Sequence, residues 1–112
     1  MNFEEYQRRA ANTSNYPGQG TPVGLNYTVL GLIGESGEVA NKLKKVHRDM
    51  GGDVKNPEIR EMIAKELTDC LWYLSACAGE LGYTLDQIAI MSLEKVEDRK
   101  RRGVIGGSGD ER

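Results

Sequence analysis

The sequence predicts an all-α domain, a four-helix up-and-down bundle whose second and third helices pair as an antiparallel hairpin. Three observations predict it. Apolar residues recur at spacings of three and four, the period of a helix face. No run alternates β-branched and polar residues, so strand signals are absent. The segment lengths and the polar turns between them suit helices joined by short connections.

The first helix is expected at residues 3–12. The stretch "TSNYPGQGTP" that follows is rich in turn residues. The second helix is expected at residues 23–50, with Val29, Leu32, Ile33, Val39, Ala40, Leu43 and Val46 on its apolar face. Its last turn is basic (Lys44, Lys45, His47, Arg48), which suits the negative end of the helix dipole. "MGGDVKNP" is a turn, with Asn56 as cap and Pro57 in the first position of the third helix. That helix should run to about residue 81. Its second half, "CLWYLSACAG" (70–79), carries no charge, so burial on nearly every side is expected. Thr84 and Gln87 form a capping-box pair that opens the fourth helix, residues 85–101. No repeat or linker divides the chain: a single domain covers 1–102, and a glycine-rich polar tail covers 103–112.

Composition excludes several classes. Of 112 residues, 15 are basic and 17 acidic, a formal charge of −2, so no global field points to nucleic acid or an anionic membrane. No apolar run approaches the ~18 residues of a spanning helix. The start "MNFEEYQRR" lacks the basic-then-apolar pattern of a signal peptide. Cys70 and Cys77 lie seven residues apart in one helix, about 10 Å along its axis. A disulfide needs Cα atoms within about 7 Å, so both are expected as free thiols in a reducing, cytoplasmic setting.

The chemistry-bearing pattern is two acidic pairs. Glu35 and Glu38 fall in "GESGEVA"; Glu66 and Asp69 fall in "KELTD". Residues three apart sit about 60° apart on a helix and one turn along it, so each pair offers two carboxylates side by side. Counted from the turn between the helices, both pairs stand on the order of 13–23 Å away, so their heights overlap. Four clustered carboxylates repel one another and resist burial unless cations join them. Carboxylate oxygens are hard ligands, suited to Mg²⁺ or Mn²⁺. Gly34 and Gly37 each cost a helix about 1 kcal/mol relative to alanine. A bare face for a hydrated cation or a phosphate chain would explain them. From the residues alone, a solvated charged face remains open beside the metal reading. A di-iron site is disfavoured, because such sites pair Glu with His and the single histidine, His47, lies near neither motif.

"GLIGESGEVANKLKK" followed by "IAKELTDCLWYL" resembles the MazG-like nucleotide pyrophosphohydrolases of the all-α NTP pyrophosphatase superfamily, which also holds dimeric dUTPases and dCTP pyrophosphatases. The resemblance spans residues 25–102. It implies Mg²⁺ held by Glu35, Glu38, Glu66 and Asp69, with Mn²⁺ as a substitute. It implies hydrolysis of (deoxy)nucleoside triphosphates to the monophosphate and pyrophosphate, a role in nucleotide-pool control, with one glutamate as general base; Glu38 is the favoured candidate. It also implies an aromatic at Tyr73 lining the nucleotide pocket, against the alternative of a core tyrosine. In the fourth helix it implies phosphate contacts from Lys95 and Arg99, against the alternative of a solvated helix end. Ser92 stands where the family tends to have asparagine, a departure that bears on sugar or phosphate contact. Trp72 points about 100° from Tyr73 and is expected in the core or a subunit interface.

Single-domain members resemble one another in forming oligomers, so a homodimer or homotetramer is expected, without nucleic acid or membrane partners. The tail either folds over the site or stays disordered. Two alternatives remain at this point: hydrolysis of an alarmone or another diphosphate-containing metabolite, and a non-catalytic helical interaction module.

Overall fold

The computed structural model describes residues 1–112. It contains four helices and no strand: α1 (Phe3–Ala11), α2 (Pro22–Asp49), α3 (Pro57–Glu80) and α4 (Leu85–Arg102). Three of them, α1, α3 and α4, start where a side chain holds a free N–H of the first turn. The Asn2 side chain accepts from Glu5 N–H at 2.8 Å. Asn56 Oδ1 accepts from Glu58 N–H at 2.9 Å, with Pro57 in the first turn. Thr84 and Gln87 close a reciprocal capping box at 3.0 and 2.9 Å. Gly103 ends α4 at φ 72°, a left-handed position that glycine adopts without steric cost.

The α2–α3 hairpin is the spine, carrying most of the contact between helices. Gly51 and Gly52, both at positive φ, turn the chain between them. The buried side chains Thr28, Val46, Ile59, Ser75 and Ala78 belong to these two helices. α1 packs on α3 and α4. α4 touches α1 and α3 and makes no contact with α2.

The bundle is open. Only eight of 112 residues are buried, and the radius of gyration is 16.8 Å, where a compact chain of this length should show about 13 Å. The uncharged stretch 70–79 is accordingly half-buried rather than enclosed: Leu74 keeps 38% of its surface exposed. A single hairpin has a neighbour on only some of its sides. Leu67 and Leu74 of α3 and Leu81 at its C-cap, seven residues apart on one stripe, are all exposed. Together with Val29, Leu30 and Ile33 of α2, they leave the hairpin with a bare apolar back.

Gln7 ties the open end together. Its Nε2 donates to the carbonyls of Tyr83 (3.1 Å) and Ser75 (3.4 Å), and its Oε1 accepts from Leu85 N–H at 3.0 Å. One side chain so joins α1, the end of α3 and the start of α4. Gln7→Ala is expected to cost about 1–3 kcal/mol, the range for leaving part-buried backbone groups unpaired. Urea denaturation measures it.

Candidate metal-binding site

The antiparallel hairpin brings three of the four predicted acids together. One carboxylate oxygen each from Glu35, Glu66 and Asp69 lies within 4.8 Å of the others. Glu35 and Glu66 are half-buried and Asp69 is exposed. Glu38 lies outside this set, one turn further along α2, exposed and free of any ion pair or hydrogen bond.

Crowded like charges show in the electrostatics. Burial holds the Glu35 carboxyl above its ordinary range, and the charges of Asp69, Glu38 and Glu66 push it the same way. The nearest neutralising cation is Lys42, whose Nζ is 3.7 Å from Glu66 Oε1 and partly exposed. Three carboxylates answered by a single lysine make a donor set short of positive charge. They are all hard oxygen donors, so the residues present fit a divalent cation of the Mg²⁺ or Mn²⁺ type.

Tyr73 stands at this cluster. Burial raises its hydroxyl pKa first, then Tyr27, Glu35 and Asp69 raise it further. Its ring lies on the backbone of α2 at Gly31, where an added Cβ would come within 2.1 Å of the ring. The close approach between the helices is therefore at Gly31, one turn before Glu35. It is not at Gly34 or Gly37, where an added Cβ would meet nothing within 4 Å. Tyr6 of α1 also feels Asp69: burial, then that charge, raises its pKa. Neither Gly31 nor Tyr6 carries a sequence signal. Both act through contacts between helices that no spacing reveals.

Trp72 does not close into the core. It meets Tyr73 edge-on at 5.0 Å between ring centroids and Tyr16 at 6.4 Å, and Tyr16 stacks on Tyr27 at 5.6 Å. Its Nε1 donates to the Thr13 hydroxyl at 2.9 Å. It lines a groove of about 460 Å³ between α1, α3 and the segment joining α1 to α2, together with Arg8, Tyr16, Gln19 and Glu80. Glu80 anchors that segment: its carboxylate accepts from the Tyr16 hydroxyl at 2.5 Å and from Gly20 N–H at 3.1 Å. Burial and the Glu80 hydrogen bond push the Tyr16 pKa up to about 12.

Lys95 and Arg99 are held elsewhere in the chain. Both face the tail, 3.8 and 3.6 Å from Asp110 Oδ1. The tail forms its hydrogen bonds with α4 and with itself, none with the acidic cluster. Cys70 and Cys77 are free thiols, as their spacing predicts. No helix is long and apolar enough to cross a membrane.

Comparison with known proteins gives two matches. The family model described as MazG nucleotide pyrophosphohydrolase domain matches residues 24–104. The chain is also similar to the Gene 37 protein of Mycobacterium phage L5, 44% identical over 115 residues, covering 100% of both chains. No solved structure matches.

Proposed function

Because the chain belongs to the MazG nucleotide pyrophosphohydrolase family, we propose that it hydrolyses (deoxy)nucleoside triphosphates to the monophosphate and pyrophosphate, with Mg²⁺ as cofactor. The observation that carries this reading is the set of three carboxylates from two helices converging within 4.8 Å. Glu35, Glu66 and Asp69 would hold the cation. When bound, it supplies charge neutralisation for the phosphates and acidifies a coordinated water.

The chain's own residues do the rest. Glu38 serves as general base; its freedom from any cation and its place one turn from Glu35 support that role. Lys95 and Arg99 bind phosphate oxygens. The nucleoside lies in the groove that begins at Trp72, one turn of α3 beyond Asp69. Its volume falls within the ordinary range of small-molecule sites. Tyr73 touches Trp72 of the groove, feels the charges of Glu35 and Asp69, and orients the substrate across them.

The test is pyrophosphate release from a panel of canonical and modified nucleotides, with Mg²⁺ and with EDTA. Mg²⁺-dependent release with the monophosphate as co-product supports the reading, and loss in Glu38→Gln names the base. No release from any nucleotide by the folded protein overturns it.

The protein acts as a homo-oligomer, formed by packing the bare backs of two hairpins. Leu74 stands about 80° around α3 from Glu66 and about 140° from Asp69, beside the acidic face rather than on it. Two such faces are self-complementary and would complete a four-helix core. Leu74→Glu is expected to give a monomer in light scattering coupled to size exclusion, where the unmodified protein gives a dimer or larger. A monomeric unmodified protein at micromolar concentration would rule out this interface.

A further inference from the structure

Arg99 is one of the few buried residues, 8% exposed, and the tail of its own chain helps to bury it. Its Nη2 donates to the carbonyls of Asp110 at 2.9 Å and Gly109 at 3.4 Å. The Asp110 carboxylate stands 3.6 Å from the same nitrogen and 3.8 Å from Lys95 Nζ. Arg112 closes the tail into a loop by donating to the carbonyls of Val104, Ile105, Gly106 and Gly109. Arg102 in turn donates to the Arg112 carbonyl. Guanidinium–carbonyl bonds hold this segment, not an apolar core.

A carboxylate set across a lysine and an arginine offers them what a phosphate oxygen would: negative charge and acceptor lone pairs. Asp110 offers it weakly. Both of its ion-pair distances exceed 3.5 Å, and its side chain is 86% exposed. Pairs this long with one partner so exposed contribute little and are easily exchanged. A polyphosphate brings more charge and more oxygens to the same two cations.

We infer that the tail is an internal competitor for substrate phosphate: Asp110 covers Lys95 and Arg99 in the free protein, and an incoming polyphosphate displaces it. The inference rests on the reading of Lys95 and Arg99 as phosphate contacts. The tail then weakens phosphate binding, and its release accompanies that binding.

The test uses the full chain and inorganic tripolyphosphate, with affinity from titration calorimetry. Asp110→Asn is expected to bind about two- to fivefold more tightly than the unmodified protein, the range of a lost exposed ion-pair competitor. Glu111→Gln removes the same charge one residue along, from a carboxylate that pairs with nothing, and should bind as the unmodified protein does. Tripolyphosphate should also shift the amide signals of Gly106, Gly107 and Gly109 in NMR spectra. Equal affinity in Asp110→Asn, or an equal gain in Glu111→Gln, overturns the inference. Lys95→Gln separates the two layers. If it loses affinity while Asp110→Asn gains none, the cations bind phosphate and the tail inference alone fails. If it leaves affinity unchanged, the phosphate reading of Lys95 fails and the tail inference falls with it.

Discussion

Asp69→Asn is expected to abolish Mg²⁺-dependent pyrophosphate release while making the metal-free protein more stable. Asparagine keeps the shape of the side chain and removes one of three negative charges whose oxygens converge within 4.8 Å. Losing a direct ligand should cost more than the 10–100-fold typical of an outer-sphere partner, so a fall in kcat beyond about a hundredfold is expected. Stability moves the other way. Without metal, Asp69 raises the cost of ionising Glu35, and its removal relieves that repulsion. Urea denaturation in EDTA should show a higher midpoint for the variant. Added Mg²⁺ should stabilise the unmodified protein and leave the variant nearly unmoved, because a ligand stabilises only the state that binds it. Lost activity together with lost stability in EDTA would instead make Asp69 a structural residue.

Burial of Glu35, with the same crowding added, sets a pH dependence. The folded state raises the Glu35 pKa above its ordinary 4.5, so the folded chain holds that proton more tightly than the unfolded chain does. The stabilising contribution is complete below about pH 4.5 and is lost as pH rises through the raised folded value. In EDTA, the Glu35→Gln variant should lack this component of the stability profile. With Mg²⁺ the dependence should reverse, because the metal requires the ionised carboxylate.

Much of the fold was legible because its signals are local. Asn56–Pro57 and the Thr84–Gln87 box act within one turn of where they stand, and all four helices begin and end within one residue of the expected positions. The convergence of Glu35, Glu66 and Asp69 was legible for a related reason: a short turn fixes the register of a hairpin, and helical rise does the rest. What spacing could not show is how far each side chain reaches. Glu38 shares the helix and the spacing of Glu35, yet stays outside the set. The Glu80 anchor for the Tyr16–Gly20 segment and the Asp110 contact with Lys95 and Arg99 join residues whose pairing depends on how loops settle. No periodicity encodes that. The open core was half legible: an uncharged helix stretch called for burial, but a single chain does not say what does the burying.

Gly31→Ala should harm activity far more than stability, and the comparison with Gly34→Ala makes the cause visible. Alanine gains about 1 kcal/mol over glycine inside a helix. At Gly34 nothing lies within 4 Å of the new Cβ, so that gain should appear as added stability in the metal-free protein. At Gly31 the Cβ would stand 2.1, 2.4 and 2.6 Å from three atoms of the Tyr73 ring. The ring must move, and Trp72 already meets it edge-on at 5.0 Å between centroids. Overpacking of this kind costs about 1–3 kcal/mol. The helix gain offsets part of that cost, leaving net destabilisation of no more than about 2 kcal/mol. The geometry does not recover so easily. Tyr73 touches Trp72 of the groove and feels the charges of Glu35 and Asp69, and a displacement of about 1 Å in a positioning group can cost on the order of a hundredfold in rate. The expected result is a folded Gly31→Ala protein with kcat/KM reduced by one to two orders of magnitude, roughly, and a Tyr73→Phe protein that keeps most of its activity because the ring stays in place. Full activity in Gly31→Ala would mean that Tyr73 is packing alone, and that the nucleotide is oriented by the groove without it.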